Sequence, residues 1–463
     1  MKTAPPEKLE ATQLFKNVSQ QYQRRFGVIS GYLPKDLTHI GKWLSDTIEA
    51  SQKDKAAQGS AYTFSPAVAR MKSILIKSLT LEIQVAEMIQ EGLKVHEHYE
   101  PNVPYAVKSV EDLFVALNYI VQRAPIFEPQ VSHTAFPMSG LFVYMMATPT
   151  GWLVLKNPVF NDALRPVLQE WCDFLDSDVT LSVINTSSTG WLSPASVIAN
   201  NLDQFVTPEA KAKDPLHWGF TSFNDYFHRE IILLARPLDG PTNDAVIVSA
   251  NDGTVYRVAE NVKLIDKFES KSQNYSLSNM LDGSPYTDNF IGGDVLQTFL
   301  SGHDYHRWRA PIAGEIVEAR VINGFMFSEL PVEGWDPSAG THSQGYEANV
   351  NTRGLIIIKH DDPKIGLVAV MPIGITEISS VQIRKKNGEP FSIGDRVEKG
   401  EELGWFSYGG SSLCLVFQPG AIKQFTVVNP NPDVDSDNGP YVRVRAQVAI
   451  ANTSFQKLKN PIS

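Results

Sequence analysis

The spacing of apolar residues changes in kind about halfway along this chain of 463 residues. The first 200 residues carry helical spacings, as at Leu37, Ile40, Leu44 and Ile48, which fall on one face of a helix. From about residue 245 the apolar residues come in short β-branched runs broken by Gly, Pro and Asn, as in AVIVSA, GLIIIKH and LCLVF. The two patterns predict an α+β protein in which a helical amino-terminal region packs on a mostly antiparallel, β-rich domain.

Residues that typically cap helices indicate where individual helices of the amino-terminal region begin and end. Ser65-Pro66 predicts the start of a helix and Gly92 its end. Ser109 followed by Asp112 resembles a capping box at the start of another helix. Residues 164–175 have amphipathic spacing as well, but a proline among them leaves the start of that helix open.

The polar stretch TPEAKAKDPLHWG, between about residues 200 and 220, separates the two patterns. We therefore expect a flexible amino-terminal segment at 1–34, a helical domain at 35–205 and a β-rich catalytic domain at 206–463.

Charge and cysteine content exclude several classes of function. The 41 basic and 51 acidic residues give a net charge of −10 without a basic run, which argues against nucleic acid and against anionic lipid as partners. Two cysteines, Cys172 and Cys414, cannot form a disulfide framework or a thiolate metal site, although one disulfide between them stays open. The first thirty residues lack a signal-peptide stretch, and the apolar run from Leu141 to Ala147 is too short to span a bilayer. We expect a cytoplasmic protein without stable membrane insertion.

The segment Gly409-Gly410-Ser411-Ser412 stands directly before a fully apolar strand. Four small residues in a row most often form a flexible turn. A turn between two buried strands does not need four of them, however, and glycine before serine permits a strained carbonyl next to a hydroxyl group. Such a segment is a candidate for self-cleavage between Gly410 and Ser411.

Five further elements precede this segment in a fixed order: SFNDYF at 222–227, ARPL at 235–238, SANDG at 249–253, YSL at 275–277 and DYHR at 304–307. Together with the GGSS segment they resemble the phosphatidylserine decarboxylase family, whose usual processing sequence is Leu-Gly-Ser-Thr. The resemblance is strong over residues 218–450. RAPIF at 123–127 and GITEIS at 374–379 resemble the soluble branch of that family, which includes fungal tryptophan decarboxylases of the psilocybin-pathway type.

The resemblance implies an activity and a cofactor. The chain would be a zymogen that cuts itself into a β chain, residues 1–410, and an α chain, residues 411–463, which stay together as partners. Ser411 would become a pyruvoyl group, whose carbonyl accepts the electrons released with carbon dioxide, so neither pyridoxal phosphate nor a metal is expected. The substrate would be a small molecule, an aromatic L-amino acid resembling tryptophan, and the role one in secondary metabolism.

Two more site residues follow from the resemblance. Asp252 would belong to the processing triad, where it orients and charge-stabilises the base that activates Ser411. An Asn-Asp-Gly sequence is also a common hairpin turn. His306 would donate a proton to the carbon from which carbon dioxide has left, the alternative being a histidine satisfied within a sheet.

The sequence departs from the family at Arg309. The usual element has a second histidine there, which serves as the base, whereas a guanidinium stays protonated at physiological pH. Arg309 would then polarise the Gly410 carbonyl or hold Asp252 in place, with Asp252, His306 or His303 taking the proton. The other interpretation is that processing is slow or absent.

The remaining predictions concern specificity. Ser412, Trp308 and Phe325 are candidate substrate contacts, with core packing as the alternative for the two aromatic residues. The segment KHDDP at 359–363 favours a solvated turn between strands, so no metal site is predicted. Two competing functions stay open: a phosphatidylserine decarboxylase, with a small interfacial patch on the Leu37–Ile48 helix, and an unprocessed family member that only binds a ligand.

Overall fold

The computed structural model describes the chain in ten ranges: 37–99, 101–104, 107–127, 136–146, 148–266, 275–328, 343–377, 380–409, 411–429 and 439–454, without the side chains of residues 37–39 and 99. The predicted flexible segment 1–34 lies outside them. The predicted domain bounds stay predictions.

Helices dominate the chain up to about residue 230. In order they are α1 Leu37–Gln58, α2 Pro66–Ile76, α3 Leu79–Tyr99, α4 Val110–Ile120, α5 Pro137–Met146, α6 Pro149–Leu155, α7 Pro158–Leu175, α8 Pro194–Ala199, α9 Pro208–Lys213 and α10 Phe223–Phe227. The described residues of the β-rich part add two short helices, α11 Leu277–Met280 and α12 Gln344–Val350. Short 3-10 helices lie at Gly59–Ala61, Asp178–Val183, Leu202–Gln204, Leu233–Ala235 and Thr287–Phe290.

The apolar stripe predicted for the first helix is confirmed at Ile40, Leu44 and Ile48, each at most 5% exposed. The side chain of Leu37 lies outside the described part. Because the stripe faces the core, α1 does not offer these residues as an interfacial patch for a membrane, and that suggestion is wrong.

The predicted end of the second helix at Gly92 is wrong. The helix that starts after Ser65 stops at Ile76, and α3 then runs through a buried Gly92. The break arises at Ser78, whose amide closes a tight turn on Leu75 while its carbonyl accepts the amide of Glu82 in the first turn of α3. Spacing alone did not reveal this break, because both helices bury one side of a continuous apolar pattern.

The observed starts of two other helices can be compared with the capping residues predicted from the sequence. Ser109 caps α4 as predicted, since its Oγ accepts the amide of Asp112 at 3.1 Å. Helix α7 starts at Pro158 behind the Asn157 cap, so Pro166 lies inside the helix rather than at its start. Prolines at the first helical position cost nothing because that amide has no helical partner.

The described residues of the β-rich part form three antiparallel sheets. The largest has the order β13 Tyr441–Val442, β2 Gly253–Ala259, β3 Asp294–Leu300, β11 Ser411–Phe417, β7 Leu367–Gly374, β6 Arg353–Lys359, β5 Gly314–Ile322, β9 Arg396–Val397. A second sheet joins β4 Arg307–Arg309, β10 Glu402–Phe406 and β8 Val381–Ile383. A third joins β1 Val246–Val248, β14 Gln447–Ala451 and β12 Ile422–Phe425.

The helical region packs against one end of the large sheet. Phe299, Ile375 and Tyr408, which flank the start of β11, belong to the same apolar cluster as the helices. The predicted α+β architecture is therefore confirmed. No helix in the described ranges is both long and apolar enough to cross a membrane. Cys172 and Cys414 are both free and buried, so the disulfide left open is not formed.

Candidate active site

Ser411 begins β11 in the middle of the large sheet. Its Cα pairs with that of Leu300 on one side and with that of Gly374 on the other. The residue is 0% exposed, and its Oγ has no hydrogen-bond partner among the described residues. A buried hydroxyl without a partner costs free energy, so stability does not explain a serine here. Gly410, the other predicted cleavage residue, lies outside the described residues.

The chain enters β11 through Tyr408 and Gly409. Gly409 has φ +144°, a backbone conformation that side-chain-bearing residues rarely adopt. The Tyr408 ring is fully enclosed by aromatic rings at centroid distances of 5.1 to 5.3 Å, those of Phe136, Trp171, Phe223 and Phe227. The helical region therefore fixes the chain just ahead of Ser411.

His306 is linked to the same aromatic cluster. Its imidazole stacks on Phe227 with ring centroids 4.0 Å apart, and the residue is 0% exposed. Neither ring nitrogen has a well-formed hydrogen bond to the described part of the chain. Burial, reinforced by the positive charge of Arg229, holds the pKa of His306 well below its ordinary value. At neutral pH it is an uncharged imidazole with one donor and one acceptor nitrogen.

Asp252 lies just before β2, two strands away from Ser411, with β3 between them. Its carboxylate forms a buried ion pair with Arg236, whose Nε lies 3.0 Å from Oδ1 and 3.2 Å from Oδ2. The amide of Val444 donates to Oδ1 at 2.7 Å. Asp252 is thus an immobilised anion, held by a guanidinium from the ARPL element rather than by Arg309.

Arg309 has a different partner. Its guanidinium contacts Glu402 at 3.4 Å and donates to the Tyr305 hydroxyl at 3.0 Å and to the Gly400 carbonyl at 3.2 Å. Glu402 also accepts from Arg307 at 2.6 Å. The suggestion that Arg309 holds Asp252 in place is therefore wrong, because its guanidinium instead lies within the β4–β10 sheet and contacts Glu402, which it shares with Arg307.

Ser412 faces a buried polar cluster on the large sheet. Its Oγ accepts from Gln297 Nε2 at 2.8 Å, and Gln297 Oε1 accepts from the Tyr275 hydroxyl at 2.6 Å. Gln297 Nε2 also donates to the main chain of Gln344, whose own side-chain amide has no partner within the described ranges. Gln344 is 0% exposed. Such a cluster is unusual on the core face of a sheet.

Glu377 ties the helical region to the strand beside Ser411. It follows β7 closely, and its carboxylate accepts from the Ser139 hydroxyl at 2.6 Å and from the Ser139 amide at 3.2 Å. Burial, the largest cause, raises the pKa of Glu377 against these hydrogen bonds.

The two aromatic candidates lie elsewhere. Trp308 is 0% exposed in the core between the sheets, where it packs on Phe406 at 4.6 Å between ring centroids. Phe325 lines an open cavity of about 430 Å³ together with Arg165 and Arg353. The structure thus favours a core role for Trp308 and places Phe325 at a cavity whose lining does not include Ser411.

Sequence reasoning missed Arg236, Glu377 and the Gln297 cluster. Arg236 lies in the ARPL element and Glu377 in the GITEIS element, so the sequence marked both positions. It gave no indication of the residues that they contact.

The segment KHDDP does form a turn: His360 Nδ1 accepts the Asp362 amide at 2.9 Å. The turn is solvated in part: Lys359, Asp361 and Pro363 are exposed, whereas His360 and Asp362 are buried.

Comparisons with known proteins agree with the ordered elements. A family model described as phosphatidylserine decarboxylase matches residues 223–446, and a second model with the same description matches 65–199. The chain is 32% identical to decarboxylase iboD of Amanita muscaria, over 62% of this chain and 85% of the relative. It is 28% identical to L-tryptophan decarboxylase of Psilocybe cubensis, over 66% and 72%. A phosphatidylserine decarboxylase proenzyme of Fusobacterium nucleatum is 33% identical over 43% and 60%.

Proposed function

The chain belongs to the phosphatidylserine decarboxylase family and is a carboxy-lyase, and on that premise we propose that it is a pyruvoyl-dependent decarboxylase of an aromatic L-amino acid resembling tryptophan. It processes itself between Gly410 and Ser411. We place it in the cytoplasm and in secondary metabolism.

One observation carries the self-processing step. The Ser411 hydroxyl is buried, without a partner in the described part of the chain, in the processing position of a family whose bacterial relatives are named proenzymes. Its Oγ attacks the Gly410 carbonyl, and the amide becomes an ester as the C–N bond breaks. Elimination then breaks the chain and releases Gly410 as a carboxylate, and water hydrolyses the imine form of the dehydroalanine left at 411 to a ketone, with the nitrogen leaving as ammonia.

The surrounding residues fit a pyruvoyl group at this position. Such a group supplies the electron sink for decarboxylation. Its precursor needs a hydroxyl that is not engaged elsewhere and needs shielding from water; within the described residues Ser411 Oγ has no hydrogen-bond partner, and the residue is 0% exposed. We assign to His306 the delivery of a proton to the substrate carbon; because its pKa lies well below the ordinary value, its ring must first take up a proton during the reaction, and the imidazolium so formed is the donor. Asp252 holds a fixed negative charge near the end of the sheet.

The choice of substrate rests on two supports. Two relatives, of whose length this chain covers 72% and 70%, carry the name L-tryptophan decarboxylase. The Tyr408 aromatic cluster also makes the surroundings of the entry to β11 apolar, which suits an aromatic side chain better than a charged lipid headgroup.

Purified protein run on a denaturing gel, with intact mass analysis, tests the proposal. We expect fragments of about 45 and 6 kDa, the small one without a free amino terminus, together with release of tryptamine from tryptophan. Ser411→Ala should remain at full length and be inactive, while Ser407→Ala, four residues upstream, serves as the matched control and should be cut.

A phosphatidylserine decarboxylase is the second candidate. Ile76, Leu79 and Ile83 are 53%, 71% and 49% exposed on neighbouring turns of α2 and α3, a small apolar patch able to meet a lipid surface. Formation of phosphatidylethanolamine in phosphatidylserine vesicles, together with pelleting of the protein with those vesicles, would favour this candidate. A wild-type chain that stays uncut and carries no ketone would favour the unprocessed ligand-binding member instead.

A further inference from the structure

The open cavity of about 430 Å³ lies where helix α7 meets the β-rich part, and its lining does not include Ser411. Asp162 and Arg165 of α7 form one part of its wall, and Phe325 and Arg353 form another. Ligand sites occur preferentially at such boundaries between packed units. The cavity is therefore a candidate site for a small molecule, and the charges in its wall indicate which kind.

Arg353 places a buried guanidinium in this wall. The residue is 3% exposed and donates to the main-chain carbonyls of Met280 at 2.9 Å, of Asn351 at 2.7 Å and of Asn279. Two of its five N–H donors remain after these three bonds. The bonds to Asn279 and Met280 hold the end of α11, which explains the position of the guanidinium but leaves its charge without an anion.

The other buried arginines in the described part of the chain are compensated. Three form ion pairs and the fourth lies over an aromatic ring: Arg236 with Asp252, Arg307 and Arg309 with Glu402, and Arg229 over Phe205. Arg353 has neither kind of partner among the described residues. Asp282, the carboxylate whose field reaches Arg353, is itself paired with Arg320 at 3.3 Å. Burial, the largest cause, lowers the pKa of Arg353 to about 10.

Arg165 presents a second guanidinium to the cavity. It donates to Thr352 Oγ1 at 3.1 Å and to the Gly324 carbonyl at 2.8 Å, and it forms no ion pair with the described residues. Three of its five N–H donors remain after these two bonds. Burial, the largest cause, lowers its pKa against the field of Asp162. Two cations with unused donors thus line one cavity, an arrangement that suits the carboxylate of a ligand.

The same wall offers partners for an amino group and for an apolar side chain. Asp162 lies one helical turn before Arg165 and is exposed. Phe325, which the sequence suggested as a substrate contact, is half-buried in the wall beside Ile322. Inorganic phosphate would meet the negative charge of Asp162, whereas a carboxylate and an ammonium group on one molecule match both signs of charge.

We propose that this cavity is a second binding site, apart from Ser411, for the free zwitterion of an amino acid with an apolar side chain. Arg165 and Arg353 bind its carboxylate, Asp162 binds its ammonium group, and Phe325 contacts its side chain. The site does not rest on the self-processing proposed above, because none of these residues takes part in it.

Isothermal titration of the full-length Ser411→Ala chain, which forms no ketone, tests this with L-tryptophan as the probe. Tryptamine lacks the carboxylate and indole-3-propionate lacks the amino group, so we expect tryptamine to bind at least about tenfold more weakly and indole-3-propionate about fivefold more weakly. Arg165→Gln should weaken the binding of tryptophan at least about tenfold and leave that of tryptamine unchanged.

Arg384→Gln is the matched control. Arg384 is half-buried as Arg165 is, lies outside the cavity, and likewise donates to one side-chain oxygen and one carbonyl, at 3.2 and 3.0 Å. Its substitution should leave the affinity for tryptophan at the parental value. Arg353 is kept in every variant, because its three bonds hold the end of α11.

Asp162→Asn is the second variant, for the case that Arg165→Gln fails to fold. Because Asp162 is exposed, its loss should weaken tryptophan only about fivefold and should not weaken indole-3-propionate. Parental tryptophan affinity in either variant, no tryptophan binding by the parent chain, or phosphate that displaces tryptophan at equal affinity overturns the amino-acid site and leaves the proposed function intact. Tryptophan binding as expected, in a protein whose wild-type chain is never cut, overturns the proposed function alone.

Discussion

Asp252 and Arg236 illustrate how, at the scale of single residues, a candidate site residue depends on one neighbour. Both side chains are almost fully buried, at 2% and 6% exposure, and each neutralises the other. Such a pair adds little net stability over an apolar pair, but the removal of one partner leaves an uncompensated charge.

We therefore expect Arg236→Gln to lower the free energy of unfolding by about 3–5 kcal/mol. Urea denaturation should be measured in a Ser411→Ala background, so that every chain is uncut. Adding Asp252→Asn removes the stranded charge and should restore part of the loss. If the double variant is no more stable than Arg236→Gln alone, the ion pair is not what holds Asp252.

Strand β11 illustrates the scale of one element, because its two leading serines meet different surroundings. Ser411 has no partner in the described part of the chain, whereas Ser412 belongs to the Gln297 cluster. The strand itself was recognisable from its apolar run, but its central place in the sheet depends on pairing with β3 and β7, which come from distant parts of the chain.

Gln344 and Gln297 form a matched pair for a prediction at this scale. Gln344→Met replaces a buried amide that has no partner within the described residues with an apolar side chain of similar size, and should raise the free energy of unfolding by about 1 kcal/mol. Gln297→Met leaves Ser412 and the Tyr275 hydroxyl without their partner and should lower it by about 1–3 kcal/mol.

Urea denaturation in the Ser411→Ala background checks both signs. Equal destabilisation by the two variants would contradict the assignment. If Gln344 instead contacts the substrate, Gln344→Met in the processed enzyme raises KM while self-cleavage proceeds at the wild-type rate.

At the scale of the whole molecule, histidines with lowered pKa values in both the helical and the β-rich part make the folding stability depend on pH. Burial lowers the pKa of His96 to about 4 in the helical region and that of His228 to about 3, and it lowers the pKa of His306 as well. A histidine with a lowered pKa contributes stability that is present above its unfolded pKa of about 6.5 and is lost as the pH falls.

His96→Phe should remove one of these titrating groups and with it the loss of stability that its protonation causes. As the pH is lowered from 6 to 4, the free energy of unfolding of the variant should rise, relative to that of the parent Ser411→Ala chain, by about 1.4 kcal/mol for each pH unit. Denaturation series at half-unit pH steps measure this slope. A stability difference that is independent of pH would show that His96 titrates normally in the folded chain.

Much of the architecture was predictable because helix and strand patterns depend on neighbours two to four residues away. The stripe of α1, the Ser109 cap and the β-rich half followed from such patterns. The break between α2 and α3 did not, because Ser78 terminates one helix and starts the next without a glycine or proline to mark it.

For the site, the sequence by itself predicted the residues that we propose to carry the chemistry: a serine after two glycines, an aspartate before a glycine, and a histidine in DYHR. Only the tertiary structure decided what each of them meets. Arg236 contacts Asp252 across 16 positions, Tyr441 contacts Asp304 across 137, and Ser139 contacts Glu377 across 238. Contacts at such separations arise from how strands and helices pack, and local spacing carries no information on them.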